Sequence, residues 1–426
     1  MTKHWRRALA ALAALALPLA AWLWHVNYND GVDIGGAAAA VPADPALLPR
    51  GAYLARTGNC LACHTARGGP LAAGGRPVAT PFGTVYASNL TPDLDTGLGR
   101  WSAAAFWRAL HHGRSADGRL LVPVFPYTHT TLLTRADSDA LYAYFQSLPP
   151  TRGRPPAHAL RWPYGSQAAL AVWRALYFRP GSYQPEPARG DAWNRGAYLV
   201  RAVAHCSACH ATRDALGGAD WQSLGGARLP AQGWYAPSLL DAREAGVADW
   251  PEEDIARLLK TGVAERGSAS GPMAEVVMHG TQHLSDDDLA AMATYLKSLP
   301  QQPVPAASDT PGAPRHRSTG AGEKLYEQHC ASCHGTQGEG VAGAYPPLAG
   351  NRAITLRPID NLLQAVLFGG FNAATAGHPR PYGMPPFTLT LGDADIAALL
   401  SYIRTRWGNQ APEVSPLDVH TLRAAM

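Results

Sequence analysis

At 426 residues the chain is long enough for several domains of ordinary size. Its formal charge of +4 is too small to mark a nucleic-acid surface, and no lysine–arginine run or aromatic ladder supplies one. No nucleophile with its base, phosphate loop or paired-carboxylate motif signals a substrate pocket, so no catalytic residue is assigned.

Lys3, Arg6 and Arg7 form a positive start, and Ala8 to Trp24 is an apolar stretch. This is the plan of a secretory signal, with a length between a signal core and a full membrane span. Pro18 and weak cleavage options after Trp24 keep a retained anchor open, and Trp22 and Trp24 suit a membrane–water interface. Residues 1–30 are read as a signal peptide or N-terminal membrane anchor. The functional domains are expected on the periplasmic side of the bacterial inner membrane.

Three similar units follow. The first, residues 45–150, opens with Arg50-Gly51-Ala52-Tyr53-Leu54-Ala55-Arg56 and closes with a helix expected over Ser138–Ser147 before Pro149. A Pro-rich connector, residues 151–190, carries Trp162, Trp173, Tyr177 and Phe178 around a helix expected over Gln167–Phe178. Its aromatic residues suit packing between domains, a membrane surface or a partner. The second unit, residues 191–300, opens with Arg195-Gly196-Ala197-Tyr198-Leu199-Val200-Arg201. It closes with a helix over Ser285–Ser298, capped by Ser285 and stopped by Pro300. After a second connector, residues 301–318, the third unit spans residues 319–408. It opens with Gly322-Glu323-Lys324-Leu325-Tyr326 and closes with a helix over Asp393–Thr405; residues 409–426 form a tail.

All six cysteines fall in three copies of C-x-x-C-H: Cys60, Cys63 and His64; Cys206, Cys209 and His210; Cys330, Cys333 and His334. This is the attachment signature of c-type haem, in which both thiols become thioethers and the histidine binds the iron. A redox dithiol does not need the histidine, and zinc would need ligands that no further cysteine supplies. Cysteines two residues apart rarely act as structural staples. Three covalent haems c are therefore expected. Each is a large apolar body that gives a small domain a core it could not build from side chains alone.

A glycine-bearing first helix crossed by an aromatic-bearing last helix resembles the class I cytochrome c fold. The fold expected is mainly α, three tandem class I cytochrome c domains, each a small helical bundle around one covalent haem. That class implies a distal methionine from a loop before the last helix. In the third unit Tyr382-Gly383-Met384-Pro385-Pro386-Phe387 supplies Met384. In the second, Gly271-Pro272-Met273-Ala274-Glu275 supplies Met273, with Met278 as competitor and Met292 better suited to the core. The first unit has no methionine; Phe125 stands where one would be, and His129 follows as the best candidate. His111, His112 and an open or water-bound iron are the alternatives. Bis-histidine ligation would make the first haem the lowest-potential centre. A carbonyl of Pro346-Pro347-Leu348-Ala349-Gly350 is expected to accept the Nδ1–H of His334. Tyr86-Ala87-Ser88-Asn89 and Tyr235-Ala236-Pro237-Ser238 take the matching places. His205, His279, His283, His329 and His378 read as surface or haem-edge residues.

Residues 45–408 resemble the three-haem cytochrome c subunits of membrane-bound bacterial dehydrogenases. The passages that carry this are Tyr86-Ala87-Ser88-Asn89-Leu90-Thr91-Pro92-Asp93, Gly99-Arg100-Trp101-Ser102, Asp139-Ala140-Leu141-Tyr142-Ala143-Tyr144-Phe145 and Gly383-Met384-Pro385-Pro386-Phe387. The resemblance implies an electron-transfer subunit. It would take electrons from a catalytic dehydrogenase and pass them to quinone, a terminal oxidase or a cytochrome c at the membrane surface. Alcohol dehydrogenase cytochromes usually carry Met-Pro-Tyr where this chain has Phe125-Pro126-Tyr127. The Phe-Pro-Tyr-x-His form resembles cytochromes paired with molybdopterin-dependent aldehyde or N-heterocycle oxidoreductases and their small iron–sulfur subunit. A PQQ- or flavin-dependent alcohol or sugar-acid dehydrogenase is the alternative partner. A haem enzyme acting on peroxide or nitrogen oxides at the first haem is the rival of another class.

Overall fold

The computed structural model describes residues 3–32, 34, 45–229, 231–265, 267–302 and 320–425. Most of the connector expected at 301–318 lies outside the described residues, as do the side chains of residues 3, 5–6, 8–13 and 15 in the N-terminal segment. The chain is mostly helical, with only short strands. It divides into two compact units: Met1–Ala55 with Cys60–Gln184 and Arg213–Trp221, and Arg56–Asn59 with Pro185–Thr212 and Gln222–Met426. Among the described residues no helix is long and apolar enough to cross a membrane.

In the first unit, α1 (Lys3–Tyr28) precedes α2 (Leu47–Thr57), α3 (Ala103–His112), α4 (Arg135–Gln146) and α5 (Gln167–Tyr177). A three-stranded antiparallel sheet, β1 (Pro77–Thr80), β2 (Gly83–Tyr86) and β3 (Ala159–Leu160), pairs Val78 with Val85 and Gly83 with Leu160. Helix α4 starts three residues before the expected Ser138. The Thr134 hydroxyl caps it by accepting the Asp137 amide at 3.2 Å. Asp137 is 2 % exposed, and its carboxylate accepts the Arg50 Nε–H of α2 at 2.6 Å, which ties the two helices together. Helix α5 starts at the expected residue, capped by Ser166.

The second unit holds two further helix pairs. Helix α6 (Asp191–Tyr198) runs into a π-helical turn, Leu199–Val203. Helices α7 (Glu252–Thr261), α8 (Gly271–His279) and α9 (Asp286–Lys297) follow, then α10 (Gly320–His329), α11 (Asp360–Phe368), α12 (Asp393–Thr405) and α13 (Pro416–Ala425). Ser285 caps α9 as expected, accepting the Asp288 amide at 3.2 Å, and Asp288 pairs with Arg195 at 2.7 Å. That repeats the Arg50–Asp137 tie of the first unit. The segment expected as a tail is built in: Val414 and Val419 belong to the core around Leu363, Leu367, Ile396 and Leu400.

The three helix crossings share one construction. A Cβ added to Gly51, Gly196 or Gly322 would overlap the carbonyl of Ala140, Ala291 or Ala398. It would also come within 2.7, 2.9 and 2.9 Å of the Cβ of Tyr144, Tyr295 and Tyr402. Each closing helix thus presents an alanine and, four residues on, a tyrosine to the same glycine. The second and third crossings are joined inside their unit. Asn361 accepts the Tyr235 amide and donates to the Tyr235 carbonyl, both at 2.8 Å, while Arg228 reaches Asp360 at 3.2 Å.

Because the crossing leaves no room for a methyl, Gly196→Ala is expected to cost about 1–3 kcal/mol through overpacking. Gly320→Ala, where an added Cβ meets nothing within 4 Å, should be neutral or slightly stabilising. Denaturant unfolding of the two variants beside the parent checks the contrast. Equal stability of the two would show that the crossing is loose.

Candidate haem sites

Each C-x-x-C-H motif is wound into one helical turn: Cys60–His64, Ser207–His210 and Ala331–His334. The His210 amide donates to the Cys206 carbonyl at 3.0 Å and the His334 amide to the Cys330 carbonyl at 2.9 Å. Helical winding brings positions i, i+3 and i+4 to one face, so both thiols and the imidazole face the same way. The six cysteines form no disulfide. Burial, then the neighbouring thiol, pushes Cys60 and Cys206 up to about 12 and Cys330 up to about 11. These are neutral thiols at physiological pH, the opposite of the depressed thiol of a redox dithiol.

The three histidines share a second contact. Their Nδ1 atoms lie 2.7 Å from the Ser88 carbonyl, 2.7 Å from the Pro237 carbonyl and 3.0 Å from the Pro346 carbonyl for His64, His210 and His334. A carbonyl only accepts, so Nδ1 carries the proton and Nε2 presents its lone pair. Burial holds all three imidazoles below their ordinary pKa, and the carbonyl contact opposes it more weakly. Neutral imidazole with Nε2 free is the form an iron ligand needs, so the residues present fit a haem. All three acceptor loops are the ones expected from the sequence.

A glycine completes each arrangement, one that the motif spacing alone does not announce. Gly74, Gly226 and Gly340 donate their amides to the carbonyls of His64, His210 and His334 at 2.7, 2.7 and 2.8 Å. All three have positive φ (78°, 83° and 67°), a region that L side chains rarely adopt. A Cβ would lie 2.6 Å from Ser88 C, 2.7 Å from Ser238 N and 2.7 Å from Pro347 N. The glycine therefore lets the acceptor loop lie against the histidine turn. The signal in the sequence is a glycine a short way beyond each motif histidine. The first loop is pinned further by buried Asn89, which donates to the Thr151 carbonyl at 2.8 Å and accepts the Thr91 amide at 2.8 Å.

The candidate distal residues sit in three settings. His129 lies on a short helix, Tyr127–Thr130, and is 1 % exposed. Its Nδ1 is 3.0 Å from the Thr128 hydroxyl and its ring stands edge-on to Trp221 at 5.4 Å. Its rivals sit on α3, where His111 stacks on Trp107 at 4.3 Å and burial pushes His112 down to about 4. Met384 pairs with Gly370 in a two-residue strand and packs half-buried on the core cluster that contains Cys330. Met273 stands in the first turn of α8 rather than in a loop, because Pro272 suits a helix start. Met273 and Met278 both pack on the cluster of Ala269, Ala274, Val277 and Ala373. Met292 is core, at 1 % exposed. Of the histidines expected at the surface, His205 is half-buried with Nε2 3.1 Å from the Gly58 carbonyl, and His329 stands edge-on to Phe387 at 5.6 Å.

Asn361 is a second residue that sequence reasoning does not reach. It holds both backbone groups of Tyr235, two residues before the Pro237 carbonyl that orients His210. The two residues are 126 apart in sequence, and no local pattern joins them.

The cytochrome c family profile matches residues 194–300 and 320–407. The chain is 38 % identical over 409 residues to the cytochrome c subunit of alcohol dehydrogenase (quinone) from Gluconacetobacter polyoxogenes, covering 91 % of this chain and 87 % of that one. It is 36 % identical over 401 residues to the gluconate 2-dehydrogenase cytochrome c subunit of Pantoea cypripedii, covering 89 % and 90 %. It is 39 % identical over 419 residues to a nicotinate dehydrogenase subunit of Pseudomonas putida, covering 96 % of this chain and 34 % of that one. With two thiols and one oriented imidazole per turn, and with the alcohol and gluconate dehydrogenase relatives matched along nearly their whole length, the chain belongs to the cytochrome c family, among the cytochrome c subunits of dehydrogenases.

Proposed function

We propose that this chain is a three-haem electron relay, taking electrons from a catalytic dehydrogenase and delivering them to a membrane acceptor. The observation that carries the reading is the threefold recurrence of one arrangement: paired thiols, an imidazole with its proton on a loop carbonyl, and a glycine that admits the loop. The domains are residues 45–150, 191–300 and 319–408, each holding one covalent haem c. When bound, the haem supplies a one-electron iron couple. The side chains do the rest. Cys60 and Cys63, Cys206 and Cys209, and Cys330 and Cys333 tether it. His64, His210 and His334 present Nε2 to one face, and His129, Met273 and Met384 serve the other. The Nδ1–H···O=C bond raises the donor strength of each proximal imidazole and fixes its plane.

The partner proposed is a molybdopterin-dependent aldehyde or N-heterocycle oxidoreductase with a small iron–sulfur subunit. Phe125-Pro126-Tyr127-Thr128-His129 and the match to the nicotinate dehydrogenase relative support it. Quinone, a terminal oxidase or a cytochrome c on the periplasmic side of the inner membrane is the acceptor. A PQQ- or flavin-dependent partner draws on the alcohol and gluconate dehydrogenase relatives. Co-purification decides between them: a molybdopterin subunit is expected, and a quinoprotein or flavoprotein in its place would overturn the choice. The burial of His129, 1 % exposed, supports a protein ligand at the first haem over a peroxide-reducing open iron.

The haem count is checked by mass spectrometry and the pyridine haemochrome of the exported protein, with three haems expected per chain. In His129→Ala, one of three low-spin haems should turn high-spin and bind carbon monoxide. An unchanged low-spin spectrum would remove His129 as a ligand.

Asn361→Ala should loosen the loop that carries Pro237 and weaken the bond to His210. A less basic imidazole stabilises ferric iron less, so the potential of the second haem should rise by roughly tens of millivolts while the third stays unchanged. Redox titration followed by electron paramagnetic resonance separates the two. Equal shifts at both haems would reduce Asn361 to a general stabiliser.

A further inference from the structure

The end of α1 is built into the first unit by polar contacts that a removable leader does not need. Asn27 is 2 % exposed. It donates to the Ala171 carbonyl at 3.0 Å and accepts the Arg174 Nε–H at 2.8 Å. Arg174 is itself buried, its guanidinium against the rings of Tyr127 and Phe178. Arg114 pairs with Asp30, both side chains being about nine-tenths buried (10 % and 9 % exposed), and also donates to the Tyr28 carbonyl at 3.2 Å. A cut beyond Asp30 would remove Asn27 and Asp30 and leave two buried guanidinium groups without these oxygen partners, which a folded domain rarely tolerates.

Helix α5, on which α1 rests, has its polarity reversed. Its inner side buries Leu170, Arg174 and Ala175. Its exposed row, Ala168, Val172 and Leu176, is apolar at i, i+4 and i+8. An outward apolar row over a buried arginine is the pattern of a helix whose outer neighbour is not water. The adjoining helix continues that character: Trp22 and Trp24 are exposed on α1, at the end of the apolar stretch that begins at Ala8 after Arg6 and Arg7. Tryptophan at the end of an apolar helix suits the lipid headgroup level.

We propose that α1 stays on the mature protein as a structural part of the first unit, and that the apolar face it shares with α5 is seated on the lipid bilayer. Asn27 and Asp30 fasten the helix to the domain. The stretch Ala8–Trp24 enters the lipid, and Val172 and Leu176 rest on its surface. The proposal rests on the reading of the chain as an exported haem protein, which the haem count tests separately.

The full chain is produced with its haems and purified from membranes, and its N-terminus is read by intact mass. A polypeptide that retains Ala8–Trp24 is expected; one starting anywhere inside or beyond that stretch overturns the proposal. With the native cysteines held in thioethers, Leu176→Cys adds a single free thiol for an NBD label. In vesicles of phosphatidylethanolamine and phosphatidylglycerol carrying a nitroxide lipid, that label should be strongly quenched. The same labelled protein in vesicles without the nitroxide lipid sets the unquenched level. No quenching at position 176 beyond that level would overturn the lipid contact. A full haem count beside either failure leaves the electron-relay reading standing and removes only this one.

Discussion

A hydrogen bond from an imidazole to a backbone carbonyl organises each site. It decides which nitrogen carries the proton, and so leaves the other nitrogen with a lone pair aimed away from the loop. The bond needs a loop that approaches a tight helical turn at 2.7–3.0 Å. That approach needs a residue without a side chain at the point of contact. Gly74, Gly226 and Gly340 meet the requirement through positive φ and through amides that return a hydrogen bond to the histidine carbonyl. Ring, loop and glycine thus form one closed circuit, repeated three times along the chain.

The helix crossings hold that circuit in place. Each motif turn is the continuation of a first helix, and each first helix is clamped by a closing helix at a single glycine. Buried Asp137 and Asp288 add charge-assisted hydrogen bonds to Arg50 and Arg195. The third crossing lacks that pair: Ala321 stands before its glycine, and Asp395 instead accepts the Gly392 amide at 3.1 Å. It gains the docked C-terminal helix, where Arg423 reaches Asp393 at 2.8 Å. An ion pair in two crossings and an added helix in the third serve the same end.

Inside the second unit, polar contacts go beyond mutual support. Asn361 satisfies both backbone groups of Tyr235, on the loop that orients His210. Glu244 reinforces the same loop, accepting from the Tyr235 hydroxyl at 2.8 Å and the Ser238 amide at 2.7 Å. A residue of α11 therefore bears on the imidazole of the second motif. Rigidity of this kind suits electron transfer, in which the protein's part is to fix position, ligand and burial while the cofactor carries the redox change.

Much of this was legible in the sequence because the governing interactions are local. The C-x-x-C-H spacing puts three groups on one helical face whatever surrounds them. A glycine on an opening helix and an aromatic on a closing one announce a close crossing. The carbonyl-bearing loops were legible by their matching places after each motif, although 24, 27 and 12 residues separate histidine from acceptor. Tertiary structure decided what depends on residues far apart in the chain: Asn361 on Tyr235, Asn27 on Arg174, the burial of His129 against Trp221, and the docking of the last helix. It also moved local boundaries, starting α4 at Arg135 because Asp137 is held by Arg50, and placing Met273 in a helical turn that Pro272 begins. The physical reason is range. Backbone geometry and side-chain spacing act over a few residues, whereas a buried polar group is satisfied by whichever partner the folded chain brings to it, and no pattern in the sequence names that partner.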